Sequence, residues 1–150
     1  MREAIRLSLT KMRGNHGGPF GAVVVRNGII VGRGWNQVTS ANDPTAHAEM
    51  GAIRAACKRL KTFLLTDCEL YTSCEPCPMC LAAIYWARLK KVYYGNTRKD
   101  AQRIDFDDDL IYEEVAAPIA KRKIPMRQLL RPEALAAFQE WAAKQDRVRY

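Results

Sequence analysis

Ile5, Leu9 and Met12 recur at helical spacing, so residues 2 to about 13 are predicted to form an amphipathic helix. A Gly-rich loop follows over residues 14–19. Residues 21–25, GAVVV, are apolar and β-branched, and residues 29–34 repeat that character. Arg26-Asn27-Gly28 between them reads as a hairpin turn, so the first two strands pair antiparallel. Trp35-Asn36-Gln37 ends the second strand. Asp43-Pro44-Thr45 marks a helix start near Pro44, which Met50, Ile53, Ala56 and Leu60 continue at helical spacing. Residues 69–72 form a third strand that runs into a turn, with a helix from Pro78 to about Arg88 and a fourth strand over residues 91–94. A strand–helix–strand unit of that length makes the pair parallel. Residues 95–103 read as a loop, 105–109 as an acidic run, 110–117 as a helix and 123–129 as a fifth strand or extended arm. Pro132 opens a last helix to about Lys144, whose stripe of Leu135, Phe138, Trp141 and Ala142 requires burial on this subunit or a neighbour. The expected architecture is a three-layer α/β/α domain with a mixed five-stranded sheet and helices on both faces.

A length of 150 residues fits one domain with its own core, and 48% hydrophobic against 27% charged residues excludes a disordered chain. The net charge of +8 raises nucleic acid as a partner. Yet the basic residues are dispersed along the chain, Arg2, Lys58, Lys90 and Lys123 among them, without a concentrated basic, aromatic patch, so a solvated surface is the expected meaning and nucleic acid is not the expected partner. No apolar run reaches membrane-spanning length, and the N-terminus lacks the apolar core of a secretion signal. Five cysteines, an odd number, argue against a disulfide scaffold and for a reducing, cytoplasmic setting.

The candidate chemistry lies in residues 71–80, YTSCEPCPMC, read together with His47-Ala48-Glu49. Cys77 and Cys80 are one helical turn apart, and Pro78 suits the first position of a helix, where its missing N–H is not needed. Both thiolates would then sit at a helix N-terminus, whose positive end favours the ionised form that a metal requires. With His47 they make three zinc ligands, the number that leaves a fourth position open for catalysis. Residues i and i+2 of a regular helix point about 200° apart, so His47 and Glu49 can serve one site only at a helix end. His-x-Glu followed by Pro-Cys-x-x-Cys marks the zinc deaminases, in which the Glu is the general acid/base and not a ligand. The competing reading is a structural Cys3His module with Cys74 as fourth ligand. Such a module would not need Glu49, and Cys74 is expected instead to be a small packed residue before the turn.

On these residues the chain resembles the cytidine-deaminase-like superfamily, and within it closely the bacterial guanine deaminases. The narrower likeness rests on GGPFGAVVV at 17–25, NDPTAHAE at 42–49, YTSCEPCPMC at 71–80, AIYWAR at 83–88, FDDDLIY at 106–112 and the terminal Tyr150. The resemblance implies one zinc per subunit on His47, Cys77 and Cys80. It implies Glu49 and Asp108 as the catalytic carboxylates, Glu49 shuttling protons and Asp108 reading the purine. Phe20 packing on the ring, Asn36 bonding the base edge, and Ala48, Trp86 and Tyr150 complete the implied substrate site. It also implies a homodimer in which a C-terminal segment, about residues 130–150, is exchanged between subunits, so that Tyr150 completes the partner's pocket. Asp109 stands where the family pattern has a small polar residue, which leaves open which of Asp107, Asp108 and Asp109 faces the base.

Each of these residues also has a plainer reading. Phe20 serves as core, Asn36 as a loop residue, the acidic run as a solvated helix start, and Tyr150 as a frayed end. His16, in the Gly-rich loop, is expected to be exposed. The implied reaction is hydrolysis of free guanine: water attacks C2, Glu49 moves protons to the ring nitrogen and the departing amine, and xanthine and ammonia result. The alternatives are adenosine at a tRNA wobble position, and cytosine or its nucleosides. Cytidine-type enzymes grip ribose with an Asn and a Glu two residues later, whereas here Asn36 is followed by Gln37 and Val38.

Overall fold

A computed structural model of the chain describes residues 1–149. Helix α1 (Arg2–Arg13) forms as expected, but it buries Ala4, Leu7 and Ser8, while Ile5, Leu9 and Met12 stay exposed at its rim. Close approach decides this. A Cβ at Gly21 would lie 2.3 Å from the Ala4 carbonyl oxygen and 2.9 Å from the Leu7 Cβ, so the helix turns its face with small Ala4 and Ser8 to the sheet and buries Leu7 beside them. Glu3 ties α1 outward to the sheet's first hairpin, accepting hydrogen bonds from Arg6 Nε at 2.7 Å and Arg33 Nε at 2.9 Å.

Strands β1 (Gly21–Arg26) and β2 (Ile29–Trp35) pair antiparallel, with a register shift at Val24/Val25. Asn27 and Gly28 both take positive φ, 50° and 78°, as a two-residue turn matched to strand twist requires. β3 (Cys68–Cys74) pairs antiparallel with β1, and β4 (Lys91–Asn96) pairs parallel with β3. The sheet has four strands in the order β2-β1-β3-β4, not the five expected. Residues 123–129 pair with no strand among the described residues. Pro125 lacks the N–H a ladder needs, and Ile124 and Leu129 are 78% and 80% exposed.

Between the first hairpin and β3 lie a short helix α2 (Val38–Ala41) and helix α3 (Ala48–Leu60). α3 lies almost on the backbone of β2. A Cβ at Gly34 would come within 2.0 Å of the Ala48 carbonyl oxygen, and one at Gly32 within 2.2 Å of that of Ala52. The Ala48, Ala52 and Ala56 stripe therefore seats on a glycine stripe, and with Val24, Leu70 and Ile84 it forms the core. Helix α4 (Pro78–Trp86) joins that same layer, opposite α1, so the three-layer α/β/α architecture stands.

After β4 the segment read as a loop contains α5 (Arg98–Gln102), started by a reciprocal capping box between Thr97 and Asp100. α6 (Asp109–Ala116), a 3-10 turn (Ile119–Lys121) and α7 (Arg131–Ala143) follow. The apolar stripe of α7 is not covered by the described residues: Leu135 is half-buried, and Phe138 is 75% exposed.

The hydrogen bond from Arg6, then that from Arg33, hold Glu3 at about 2, well below its ordinary 4.5. A depressed carboxyl contributes stability that is complete above pH 4.5 and is lost as pH falls towards 2. Solvent screens both pairs, so Glu3→Gln is expected to cost about 1 kcal/mol at pH 7. That gap should narrow between pH 5 and pH 3. Urea midpoints of the two proteins at each pH measure it, and a gap independent of pH would refute the assignment.

Candidate metal centre and active site

Two helix starts converge at one end of the sheet. On the first, Asp43 Oδ1 accepts from both the backbone N–H and the hydroxyl of Thr45, each at 2.7 Å. That side-chain turn holds residues 43–45 out of the helix, so α3 begins at Ala48 rather than near Pro44. His47 becomes its N-cap in extended backbone, φ −72° and ψ 159°, and Glu49 falls in the first turn. The i, i+2 pair thereby reaches one site. On the second, Cys77 is the N-cap of α4, Pro78 opens the helix, and Cys80 follows in its first turn.

His47 Nδ1 lies 3.5 Å from Cys77 Sγ and 3.6 Å from Cys80 Sγ. Zinc–sulfur bonds of about 2.3 Å and zinc–nitrogen bonds of about 2.0–2.1 Å give a tetrahedron edges of roughly 3.5–3.8 Å. The three donors therefore fit one tetrahedral zinc, with a corner left for a non-protein ligand. Cys74 does not fill that corner: its Sγ is turned to the Thr97 carbonyl oxygen, 3.6 Å away.

The charges around the donors favour a metal. A hydrogen bond from the Cys80 thiol, reinforced by one with His47, holds Cys77 well below the usual thiol range despite its burial. The same contact, then burial, keeps the proton on Cys80. The hydrogen bond with Cys77 raises His47. Metal binding would displace these protons, as a thiolate and imidazole set requires. Glu49 is 6% exposed, and its burial pushes the carboxyl up, opposed by hydrogen bonds from its own backbone, Thr72 and Cys80. Its Oε1 accepts from Thr72 Oγ1 at 3.0 Å, and its Oε2 from Cys80 Sγ at 3.5 Å.

His47, Ala48, Glu49 and Cys77 line a cavity of about 480 Å³, and Phe20, Asn36 and Asp108 line its walls. Cys80 lies behind this surface, fully buried. Asn36 is oriented by its loop. Its Oδ1 accepts from the backbone N–H of Gly18 at 3.0 Å and of Val38 at 3.3 Å, so its amide group has only donors left to offer. Gly17, at φ 149°, backs this residue so closely that a Cβ would lie 2.1 Å from the Asn36 carbonyl oxygen.

The acidic run separates into distinct jobs. Asp109 pairs with Arg98 at 3.4 Å, and Asp107 Oδ1 accepts from the Asp109 N–H at 3.0 Å. Asp108 is half-buried on the cavity wall and raised, first by burial and then by the charge of Cys77. Tyr112 ties this segment to the metal turn, its hydroxyl donating to the Pro76 carbonyl at 3.2 Å.

Not every expected residue gathers here. Trp86 lies at the far end of α4, 68% exposed, and does not line the cavity. Tyr150 lies outside the described residues. His16 is exposed, as expected. Residues the sequence reading missed include Phe106, whose ring meets Phe20 edge-on at 4.8 Å, and Arg98 and Glu75 on the cavity wall. Phe106 stands within the motif FDDD, but only the tertiary fold aims it at Phe20.

Residues 1–96 match the family model described as the cytidine and deoxycytidylate deaminase zinc-binding region. The chain is 52% identical over 141 residues to the guanine deaminase of Bacillus subtilis, covering 94% of this chain and 90% of that one. A crystal structure of guanine deaminase from Bacillus subtilis superposes with a TM-score of 0.96 at 50% identity, over 99% of this chain and 95% of the other. The tRNA-specific adenosine deaminase of Aquifex aeolicus is 49% identical over 77 residues, 51% of each chain.

Proposed function

We propose that this chain, which belongs to the cytidine and deoxycytidylate deaminase zinc-binding family, is a zinc-dependent hydrolase that converts free guanine to xanthine and ammonia. One observation carries the choice of substrate. The likeness to a guanine deaminase runs through 94% of the chain and so includes most of the segment after β4, whereas the likeness to a tRNA adenosine deaminase covers about half.

On this reading His47, Cys77 and Cys80 hold one zinc ion per subunit. Zinc when bound supplies the nucleophile, because it lowers the pKa of water from 15.7 to about 7. Glu49 takes up the proton released in the attack on C2. It delivers that proton to the ring nitrogen, then moves a second one from the new C2 hydroxyl group to the amine, which leaves as ammonia while the C2 carbonyl forms. Its burial suits this role, since a desolvated carboxyl holds a proton more readily than one in water. Phe20 packs against the ring. Asn36 offers donors, and guanine carries two acceptors, N7 and O6, along one edge. Adenine presents an amine donor in place of O6, which would face those donors unpaired. Asp108, an acceptor, suits the guanine edge that carries N–H donors. Ala48, at the first position of α3, lies on the cavity floor beneath the ring.

The chain is a single deaminase domain that functions as a homodimer with residues 130–150 exchanged. The uncovered apolar side chains Ile124, Leu129 and Phe138, with Tyr85 and Trp86 on α4, support this, because so large an apolar surface calls for a partner. Trp86, remote from its own cavity, and Tyr150 would contribute to the site of the neighbouring subunit. Among the described residues no helix is long and apolar enough to cross a membrane. The five cysteines are all free, which suits a reducing, cytoplasmic setting, and guanine as substrate would give the chain a role in purine metabolism.

Ammonia release over guanine, adenine, cytosine and their nucleosides tests the reading. Guanine is expected to dominate, with the protein sizing at twice 17.0 kDa. Release from adenosine in tRNA and not from guanine would overturn the substrate, and a monomer fully active on guanine would overturn the exchange.

A further inference from the structure

We propose that Thr72 is a positioning residue for the deamination: its hydroxyl fixes the rotation of the Glu49 carboxyl group and so determines which oxygen faces the substrate. The inference rests on reading Glu49 as the proton carrier. Thr72 lies on β3, paired on one side with Ala22 of β1 and on the other with Tyr94 of β4, so its backbone is held from both flanks. It is 1% exposed on the sheet face that packs against α3, where alternation calls for an apolar residue like Leu70. A polar group buried there needs a partner, and it has one: Oγ1 donates to Glu49 Oε1 at 3.0 Å.

The bond matters because of what it restrains. The terminal torsion of a Glu side chain is broad and soft, so an unheld carboxyl group swings. Thr72 is β-branched and stiff at χ1, and its strand is central to the sheet, so its hydroxyl is a fixed reference point. The second contact, from Cys80 Sγ to Oε2 at 3.5 Å, is long, and a thiol is a weak donor. Thr72 is then the stronger side-chain donor, which keeps Oε1 engaged and leaves Oε2 the less restrained of the two oxygens. Losing it would let the proton-carrying oxygen wander by about an ångström, a displacement that can cost about 100-fold in rate.

The test is steady-state kinetics on guanine with zinc-loaded Thr72→Val, which replaces the hydroxyl by a methyl group of the same shape, with Thr72→Ser and Glu49→Gln measured alongside. Thr72→Val should lower kcat about 10- to 100-fold with KM within about twofold, a full complement of zinc and an unchanged melting temperature. Thr72→Ser, which keeps the donor, should recover most of the lost kcat. If Thr72→Val does not fold, Thr72→Ala must show the same split. Normal kcat in Thr72→Val beside an inactive Glu49→Gln overturns this inference alone. Equal losses in Thr72→Val and Thr72→Ser overturn it too, since packing would then be the cause. An active Glu49→Gln overturns the reading beneath it.

Discussion

Glu49→Gln is expected to reduce guanine turnover by at least about 1,000-fold while zinc content and KM stay near their original values. A positioned acid/base contributes about 100- to 10,000-fold, and here one group serves both the attack and the departure of the amine, so the upper part of that range applies. Gln matches the shape of Glu and can still accept from Thr72 through its carbonyl oxygen, so the local geometry should survive. What disappears is the ability to take and return a proton. Stability should hold or rise. Glu49 is 6% exposed, and a buried carboxyl group is costly to fold around, a penalty that a neutral amide largely avoids. Ammonia release, metal analysis and a thermal melt on the same preparation decide the matter. Activity within tenfold of the parent, with zinc bound, would remove Glu49 from the mechanism.

The gathering of His47, Glu49, Cys77 and Cys80 is legible in the sequence because each pair is local. His47 and Glu49 are two residues apart, Cys77 and Cys80 three apart, and each pair needs only a helix start to be presented. The two helix starts differ in how firmly their residues set them. Pro78 has one structural use and marked α4 correctly, whereas Asp43-Pro44-Thr45 fits either a helix cap or a closed turn, and Asp43 chose the turn. On α1 the larger apolar residues gave the wrong face, because the close seat at Gly21 selects Ala4 and Ser8 by size rather than by hydrophobicity. The fifth strand failed for want of a partner and because of Pro125. Trp86 shows what motif spacing leaves open, namely which subunit's cavity a residue can reach. It lies six residues beyond Cys80 on the same helix, about 9 Å along the axis, so it cannot join the metal turn of its own chain. Thr72 was legible in principle, as a polar residue in a position that alternation assigns to the core. Its partner was not, since nothing local says that β3 and α3 place Thr72 and Glu49 together.

Removing Cys80 should abolish both metal binding and turnover. Cys80 is fully buried in the first turn of α4, 3.6 Å from His47 Nδ1, and its loss leaves two donors where a catalytic zinc takes three. Losing an outer-shell partner alone typically weakens a metal site 10- to 100-fold, and loss of a direct ligand should exceed that. Cys80→Ala should therefore purify with little zinc and show ammonia release at background. Metal binding is also folding free energy, so the parent should melt lower after treatment with a chelator, while Cys80→Ala should melt at the same temperature with or without it. Cys74→Ala is the contrasting case. Its sulfur faces the Thr97 carbonyl rather than the metal turn, so that variant should keep its zinc and its sensitivity to the chelator. Full zinc occupancy in Cys80→Ala, or its loss from Cys74→Ala, would mean that the donor set has been wrongly drawn and that the site is a closed structural one. The open corner, and every step assigned to Glu49, would go with it.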